Sequence, residues 1–314
     1  MFLGCGALNV DYLYAVDALV ADGETFCDPV GREPGGSAAN TTFLLAKLGV
    51  PCRFVGVVGE DADGRSVLQS LAAGGVDTAT VVSRSGHSTG RAFCFIDKHG
   101  HRALYVSPGA NLTVTAADLR RGLDAGVSWV HCSSFAGDAP FSGQLAIIAA
   151  LAPEVRLSLA PGALYAARGY EALLPVLVRC TALFLSAQEL RTLTGEPEIA
   201  TGARMVLTAG VKAVAVTVGK EGSLVFTPSS RLELPALPVK VVDTTGAGDA
   251  FAAGFIFGCL NDWALADAQR FAHVVASFIV GGWGARGCAP SLLEAKERYE
   301  HAYQAALPPT RSFS

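Results

Sequence analysis

From residue 128 to residue 218, short apolar runs alternate with helical stretches, and this alternation limits the fold more than any other feature of the chain. The runs at 128–132, 155–159, 182–185 and 213–218 read as buried strands. Residues 141–151, 170–178 and 187–193 read as the helices between them. Strands joined by helical crossovers run parallel, and a parallel sheet is covered on both faces. The expected class is therefore α/β, with a central, mostly parallel sheet between helical layers. Apolar strands at 2–6 and 53–58 and helices at 37–48 and 65–73 carry the pattern towards the N-terminus. Gly49 and Pro51 close the helix at 37–48, one as a C-cap and the other as a breaker. Thr115 with Asp118, and Ser291 with Glu294, have the spacing of capping boxes that open helices. The C-terminal part is helical at 250–260, 265–280 and 292–306, and Pro308-Pro309 with a Ser-rich tail predicts a frayed end.

Two regions depart from the strand–helix rule. Residues 12–17 and 25–32 have mixed, partly alternating character, and 90–97 and 102–107 flank the short turn Lys98-His99-Gly100-His101, a hairpin signal. Together they are expected to form a small sheet, built from about 12–33 and 90–107, standing over a cleft. Two edge hairpins with no moving part would show the same periodicity. No repeat or low-complexity linker divides the chain, so residues 1–314 are expected to form a single domain.

With 314 residues, 51% hydrophobic and 17% charged, the chain can bury a large core and is not expected to be disordered. A net charge of −4 without a long basic run argues against a nucleic-acid-binding surface. No apolar segment reaches the roughly 18 residues that span a bilayer, so no membrane partner is expected. The N-terminus lacks a basic lead, and Asn9 and Asp11 interrupt its apolar stretch, unlike a signal peptide. Eight scattered cysteines without a C-x-x-C pair make a structural zinc site improbable and fit a reducing, cytoplasmic setting.

The chemistry is concentrated in Asp243-Thr244-Thr245-Gly246-Ala247-Gly248-Asp249-Ala250-Phe251. Its small residues offer backbone N–H groups just before an apolar helical stretch, and a loop that feeds a helix N-terminus attracts anions. Asp249 falls in the first helical turn. A carboxylate beside a phosphate site repels the ligand unless it has work there, and accepting a proton from a hydroxyl is such work. A Rossmann fingerprint would need Gly in place of Phe251, and the Gly-Lys-Ser/Thr of a P-loop is missing from the chain. Gly-Ala-Gly-Asp by itself is usually a plain capped turn; the nine-residue run is far more specific.

That run resembles the C-terminal signature of the ribokinase-like (PfkB) family of sugar and nucleoside kinases, and the resemblance spans nearly the whole chain. Asn9 and Asp11 look like the family's Asn-x-Asp pair, which holds sugar hydroxyls. Gly35-Gly36-Ser37-Ala38-Ala39-Asn40 is similar to its Gly-Gly-x-x-x-Asn signature, which would give Gly35, Gly36 and Asn40 acceptor-binding roles. Each alone reads as an ordinary Asx turn or helix entry. Thr217, Gly219 and Gly222 resemble the strand and turn that line the ATP side, and His273 matches a position near the adenine, although a lone His on an apolar helix is more often core. The loop Gly284–Pro290 resembles one that encloses a monovalent cation together with the Asp243 region. Cys288, where relatives often carry a hydroxyl, is a poor ligand for a hard cation and leaves potassium unsupported. Two departures stand out. Ser186-Ala187-Gln188-Glu189 replaces Asn-x-x-Glu, and Ala160 precedes Pro161-Gly162 where many relatives are acidic.

The resemblance implies a three-layer sandwich with a β lid and ATP-dependent phosphorylation of a primary hydroxyl on a small sugar. Asp249 would be the base, and the amides of Gly246, Ala247 and Gly248 would stabilise the transferring phosphoryl group. Mg2+ would sit near Glu189, reached through water, with Ser186 beside the nucleotide and Asp243 at any monovalent cation. Lid sheets of relatives often pair, which implies a homodimer. A nucleoside remains open as acceptor, since Phe93, Phe95 and Tyr105 on the lid strands could stack a base. A kinase-fold binder without turnover also remains open, because of Ser186 and Ala160.

Overall fold

The computed structural model describes residues 1–99 and 101–313. A nine-stranded sheet forms its centre. In spatial order the strands are Arg231–Leu234, Ser223–Phe226, Ala213–Thr217, Ala182–Ser186, Arg156–Ala160, Trp129–Ser133, Phe2–Cys5, Cys52–Val55 and Val76–Asp77. From Ala213–Thr217 to Val76–Asp77 every neighbouring pair is parallel. The two strands at the other edge are antiparallel. Successive side chains of a strand point to opposite faces, and the core divides accordingly. Phe2, Trp129 and Phe184 face one helical layer, which includes Ala247–Leu260 and Leu265–Ile279. Leu3, Val130 and Leu183 face the other, with Tyr170–Leu177 and Ile199–Ala209.

The expected strand at 53–58 divides. Cys52–Val55 stays in the central sheet, whereas Val57–Gly59 leaves it to pair with Val82–Arg84. The helix Ile199–Ala209 and the two antiparallel edge strands had no clear signal in the sequence. Thr115 and Ser291 are N-caps of capping boxes, as their spacing predicts. The C-terminal tail is tied down instead of frayed. The Trp263 indole donates to the Pro309 carbonyl at 2.7 Å, Arg311 N donates to Asn261 at 2.6 Å, and Phe313 packs edge-on to Phe257. These side-chain bonds and the Phe313 contact outweigh the Pro-Pro signal there; Ser314 lies outside the described residues.

A separate four-stranded sheet has the order Cys27–Gly35, Asn9–Val16, Gly90–Asp97, Arg102–Ser107. It begins closer to the central sheet than the expected boundary at residue 12, since Asn9 and Gly35 are already paired. Asn9–Val16 runs parallel to Gly90–Asp97, and the outer pairs are antiparallel. The turn expected at Lys98–His101 includes Gly100, which lies outside the described residues. Cys27–Gly35 leads through Gly36 straight into the helix Ser37–Lys47. The lid is thereby joined to the helix that carries Ser37 and Asn40.

Candidate active site

The helix Ala247–Leu260 begins at Gly246, which has φ 76° and makes no side-chain cap. Glycine adopts this left-handed backbone without Cβ strain, and a Cβ here would lie 2.7 Å from Ala285 Cα. The Ala247 amide, expected to face a phosphoryl group, instead donates to the Thr244 carbonyl at 3.2 Å. The amides of Gly248 and Asp249, in the first turn, have no intrahelical acceptor. Gly248 faces open space, with nothing within 4 Å of a Cβ built there. The helix thus presents an uncapped positive end beside an open volume, an arrangement suited to an anion.

Asp249 projects from this turn. Its Oδ1 accepts from Ser37 Oγ at 2.6 Å and its Oδ2 from Asn40 Nδ2 at 2.8 Å. The Thr41 hydroxyl donates to its backbone carbonyl at 3.2 Å. Two neighbouring helices are cross-linked by these bonds, and the carboxylate is held in one rotamer. Burial pushes the Asp249 carboxyl up to about 6, while the bonds from Ser37 and Asn40 and the Arg286 charge pull the other way and the Glu189 charge adds to the rise. A base that releases its proton near neutral pH suits general-base work.

Asp249 opens onto a cavity of about 280 Å³, lined also by Asn9, Asp11, Gly36, Asn40 and Gly246. Gly35 lies behind Asp11, and a Cβ there would sit 2.5 Å from its carboxyl carbon. Gly36 has φ 103° at the turn into the helix. Burial raises the Asp11 carboxyl to about 6, opposed by Arg286 and reinforced by Asp249 and Glu33. Asn9 Oδ1 accepts from Asn111 Nδ2 at 3.0 Å, and the buried Asn111 also bonds the backbone of Leu8 and Pro108. The lid contributes an aliphatic wall of Leu13, Ala92, Cys94, Leu104 and Val106. Phe93, Phe95 and Tyr105 are not among the cavity residues; strand alternation puts them on the other face. There Tyr12 stacks on Phe93 and Tyr14 on Phe95, at 5.6 and 5.3 Å, and Phe95 meets Tyr105 edge-on. They pack against one another, so the expectation that they stack a base in this cavity is corrected.

The residues expected on the nucleotide side sit elsewhere. Ser186 and Thr217 are register partners at the carboxyl ends of adjacent parallel strands, where α/β sheets bind ligands. Ser186 Oγ accepts from Glu189 N at 3.2 Å, and Glu189 Oε2 accepts from Ser186 N at 2.7 Å. Serine thus caps the helix Ala187–Thr194 and orients Glu189. Gly219 and Gly222, both with positive φ, bracket a single 3-10 turn after the Thr217 strand. His273 is buried; its Nε2 lies 2.8 Å from Ser223 Oγ, and burial pushes it down to about 4. Its ring meets Phe251 edge-on, so it stands in the core. Asp243 binds Thr245 N and Oγ1 through Oδ1, at 2.9 and 2.8 Å, and Gly284 N through Oδ2, at 3.0 Å. It braces the two loops that the sequence associates with a cation. Among the described residues, no three His, Cys, Asp or Glu converge as a metal cluster.

Three contributors escaped sequence reading. Ser37 lies inside a recognised motif but at one of its variable positions. Asn111 follows a Gly-Ala pair in a loop, without local pattern. Arg286, buried beneath Asn40, sits in a loop otherwise made of small residues.

Comparison with known proteins agrees with this architecture. An ATP-dependent ribose-1-phosphate kinase of Halopiger xanaduensis is 32% identical over 287 residues, covering 90% of this chain and 93% of that protein. The structure of Arabidopsis thaliana ribokinase complexed with ribose and ATP matches 95% of this chain and 98% of its own, with a TM-score of 0.80 and 26% identity. A Burkholderia thailandensis nucleoside kinase in complex with inosine, at 22% identity, shares the fold, with a TM-score of 0.83 over 98% of this chain and 99% of that one. The model described as pfkB family carbohydrate kinase matches residues 5–292, and the chain belongs to that family.

Proposed function

We propose that this protein transfers the γ-phosphoryl group of ATP to a primary hydroxyl of a small sugar. One observation carries the reading: Asp249 shares a cavity with Asn9, Asp11 and Asn40 and stands in the first turn of an uncapped helix. A hydroxyl held by the first group would meet a phosphate held at the helix end beside Asp249. Mg·ATP supplies the transferable phosphoryl group and the neutralising charge. The open space at Gly248 and the free first-turn amides fit such an anion. Asp249 accepts the hydroxyl proton as the acceptor oxygen forms its bond to phosphorus and the bond to the ADP oxygen breaks. The amides of Gly246 and Gly248 steady the charge on the moving group, with Ala247 fixing the loop through Thr244. Asn9, Asp11, Gly35, Gly36 and Asn40 position the acceptor. Ser186, Glu189, Thr217, Gly219 and Gly222 form the nucleotide side, with Glu189 directed to Mg2+ through water; His273 supports that side from the core.

The lid excludes water as it covers the cavity. We extend the proposal to one domain over 1–314, a cytoplasmic location, and a homodimer through the lid, whose unpaired strand edges favour a second copy. The aliphatic wall of Leu13, Leu104 and Val106 favours a second reading, in which a nucleoside base packs there. An ADP-release assay with ATP, Mg2+ and a panel of ribose, fructose, ribose 1-phosphate and nucleosides tests the reading. Turnover with a sugar supports it, turnover with a nucleoside alone selects the second reading, and none would leave a kinase-fold binder. Exchanging sodium for potassium in the same assay tests a monovalent cation beside Asp243.

A further inference from the structure

Arg286 is buried, yet its three hydrogen bonds go to neutral groups. Its Nε donates to Asn40 Oδ1 at 2.9 Å, its Nη1 to Ser70 Oγ at 3.1 Å, and its Nη2 to the Gly35 carbonyl at 3.3 Å. The guanidinium also lies 5.4 Å from the centre of the Phe43 ring. Taking a cation out of water is costly unless other interactions compensate. The compensating charges are Asp11, Asp249 and Glu33, which favour the charged guanidinium against its burial.

Asn40 connects this cation to Asp249. A guanidinium only donates, so the Asn40 oxygen must face Arg286, which turns the amide nitrogen towards Asp249 Oδ2. Without Arg286 only the Asp249 carboxylate would hold the amide in this orientation. We propose that Arg286 is a positioning residue for phosphoryl transfer, which acts through the Asn40 amide to aim the Asp249 carboxylate. The same fork holds the Gly35 carbonyl, at the root of the lid strand, so the base and the root of the lid share one anchor.

The inference rests on the kinase reading above. Other charges at Asp249 are Glu189 and Asp11, both acting against ionisation, so Arg286 supplies the opposing cation. Arg286→Met is tested with Mg·ATP and whichever of ribose, fructose and adenosine turns over fastest. The acid limb of kcat should move up by about one pH unit. Arg286→Lys keeps the charge but not the fork; it should leave the limb within a few tenths of a unit of wild type and lower kcat. A folded Met variant with an unmoved limb overturns the proposal, whereas a wild-type chain inactive on every acceptor overturns the kinase reading instead. Arg286→Gln, which keeps one donor for Asn40, replaces Met if that chain does not fold.

A readout without turnover is the melting temperature against pH. A carboxyl whose folded pKa is raised makes the fold less stable as pH climbs from its unfolded value through the folded one. Losing Arg286 raises Asp249 and Asp11 further, so the variant should lose more melting temperature between pH 5 and pH 8 than wild type. His131 and His273 are common to both chains and cancel in the difference. Equal pH dependence would overturn the proposal whether or not an acceptor has been found.

Discussion

Gly246 and Gly248 are two residues apart in the same loop, yet alanine should do opposite things at them. At Gly248 a Cβ meets nothing within 4 Å and the residue already sits in a helix. Alanine is the better helix former by about 0.5–1 kcal/mol, and a first-turn position gains at the lower end of this range. The Gly248→Ala protein should therefore melt no lower than wild type, and up to about 1 °C higher. The new methyl would stand in the volume proposed for the transferring phosphate, so kcat/KM for ATP should fall at least about tenfold, or about 1.4 kcal/mol of transition-state stabilisation. At Gly246 the methyl meets Ala285 on a backbone with φ 76°. A left-handed conformation costs a non-glycine residue about 1–2 kcal/mol, and the overlap adds to it. Gly246→Ala should lose both stability and activity. Differential scanning calorimetry and coupled ADP release on the two proteins decide the matter. A Gly248→Ala enzyme with wild-type ATP kinetics would refute the placement of phosphate at this helix end.

Three further outcomes follow. Gly35→Ala would press on the Asp11 carboxyl and should raise the acceptor KM well above any change in the ATP KM, measured by varying each in turn. Asn111→Ala strips buried bonds from Leu8, Asn9 and Pro108 and should destabilise the fold by about 1–3 kcal/mol in urea unfolding, with a weaker acceptor KM. Wild-type kcat should be flat above pH 7 and fall towards acid with a midpoint near about 6, because Asp249 works only when ionised and burial has raised it to that value; a midpoint near 4 would contradict that assignment.

The chain's layered fold was legible because its information is local. Strand–helix alternation from 128 to 218 and the capping boxes at Thr115 and Ser291 are patterns of neighbours, and each appears where expected. What escaped depends on distance. Strand 53–58 divides at Gly56 because its halves pair with different sheets. The tail is pinned by Trp263 and Phe257, groups about 50 residues earlier in the chain. At the site, Asn9, Asp11, Gly36, Asn40, Gly246 and Asp249 share a cavity and were readable from their motifs. Arg286 was not, because 246 residues separate it from Asn40, and nothing around it in sequence announces a buried cation. The lid aromatics illustrate the reverse error: their presence was visible, but the face they occupy depends on strand register.

The central claim is that Asp249 takes the acceptor's proton at the mouth of this helix. Asp249→Asn preserves size and the bond from Ser37 while removing the basic oxygen. Isothermal titration of Mg·ATP and single-turnover phosphoryl transfer on that variant should give nucleotide affinity within a few-fold of wild type and a transfer rate at least about a hundredfold lower. Transfer at the wild-type rate would contradict the account.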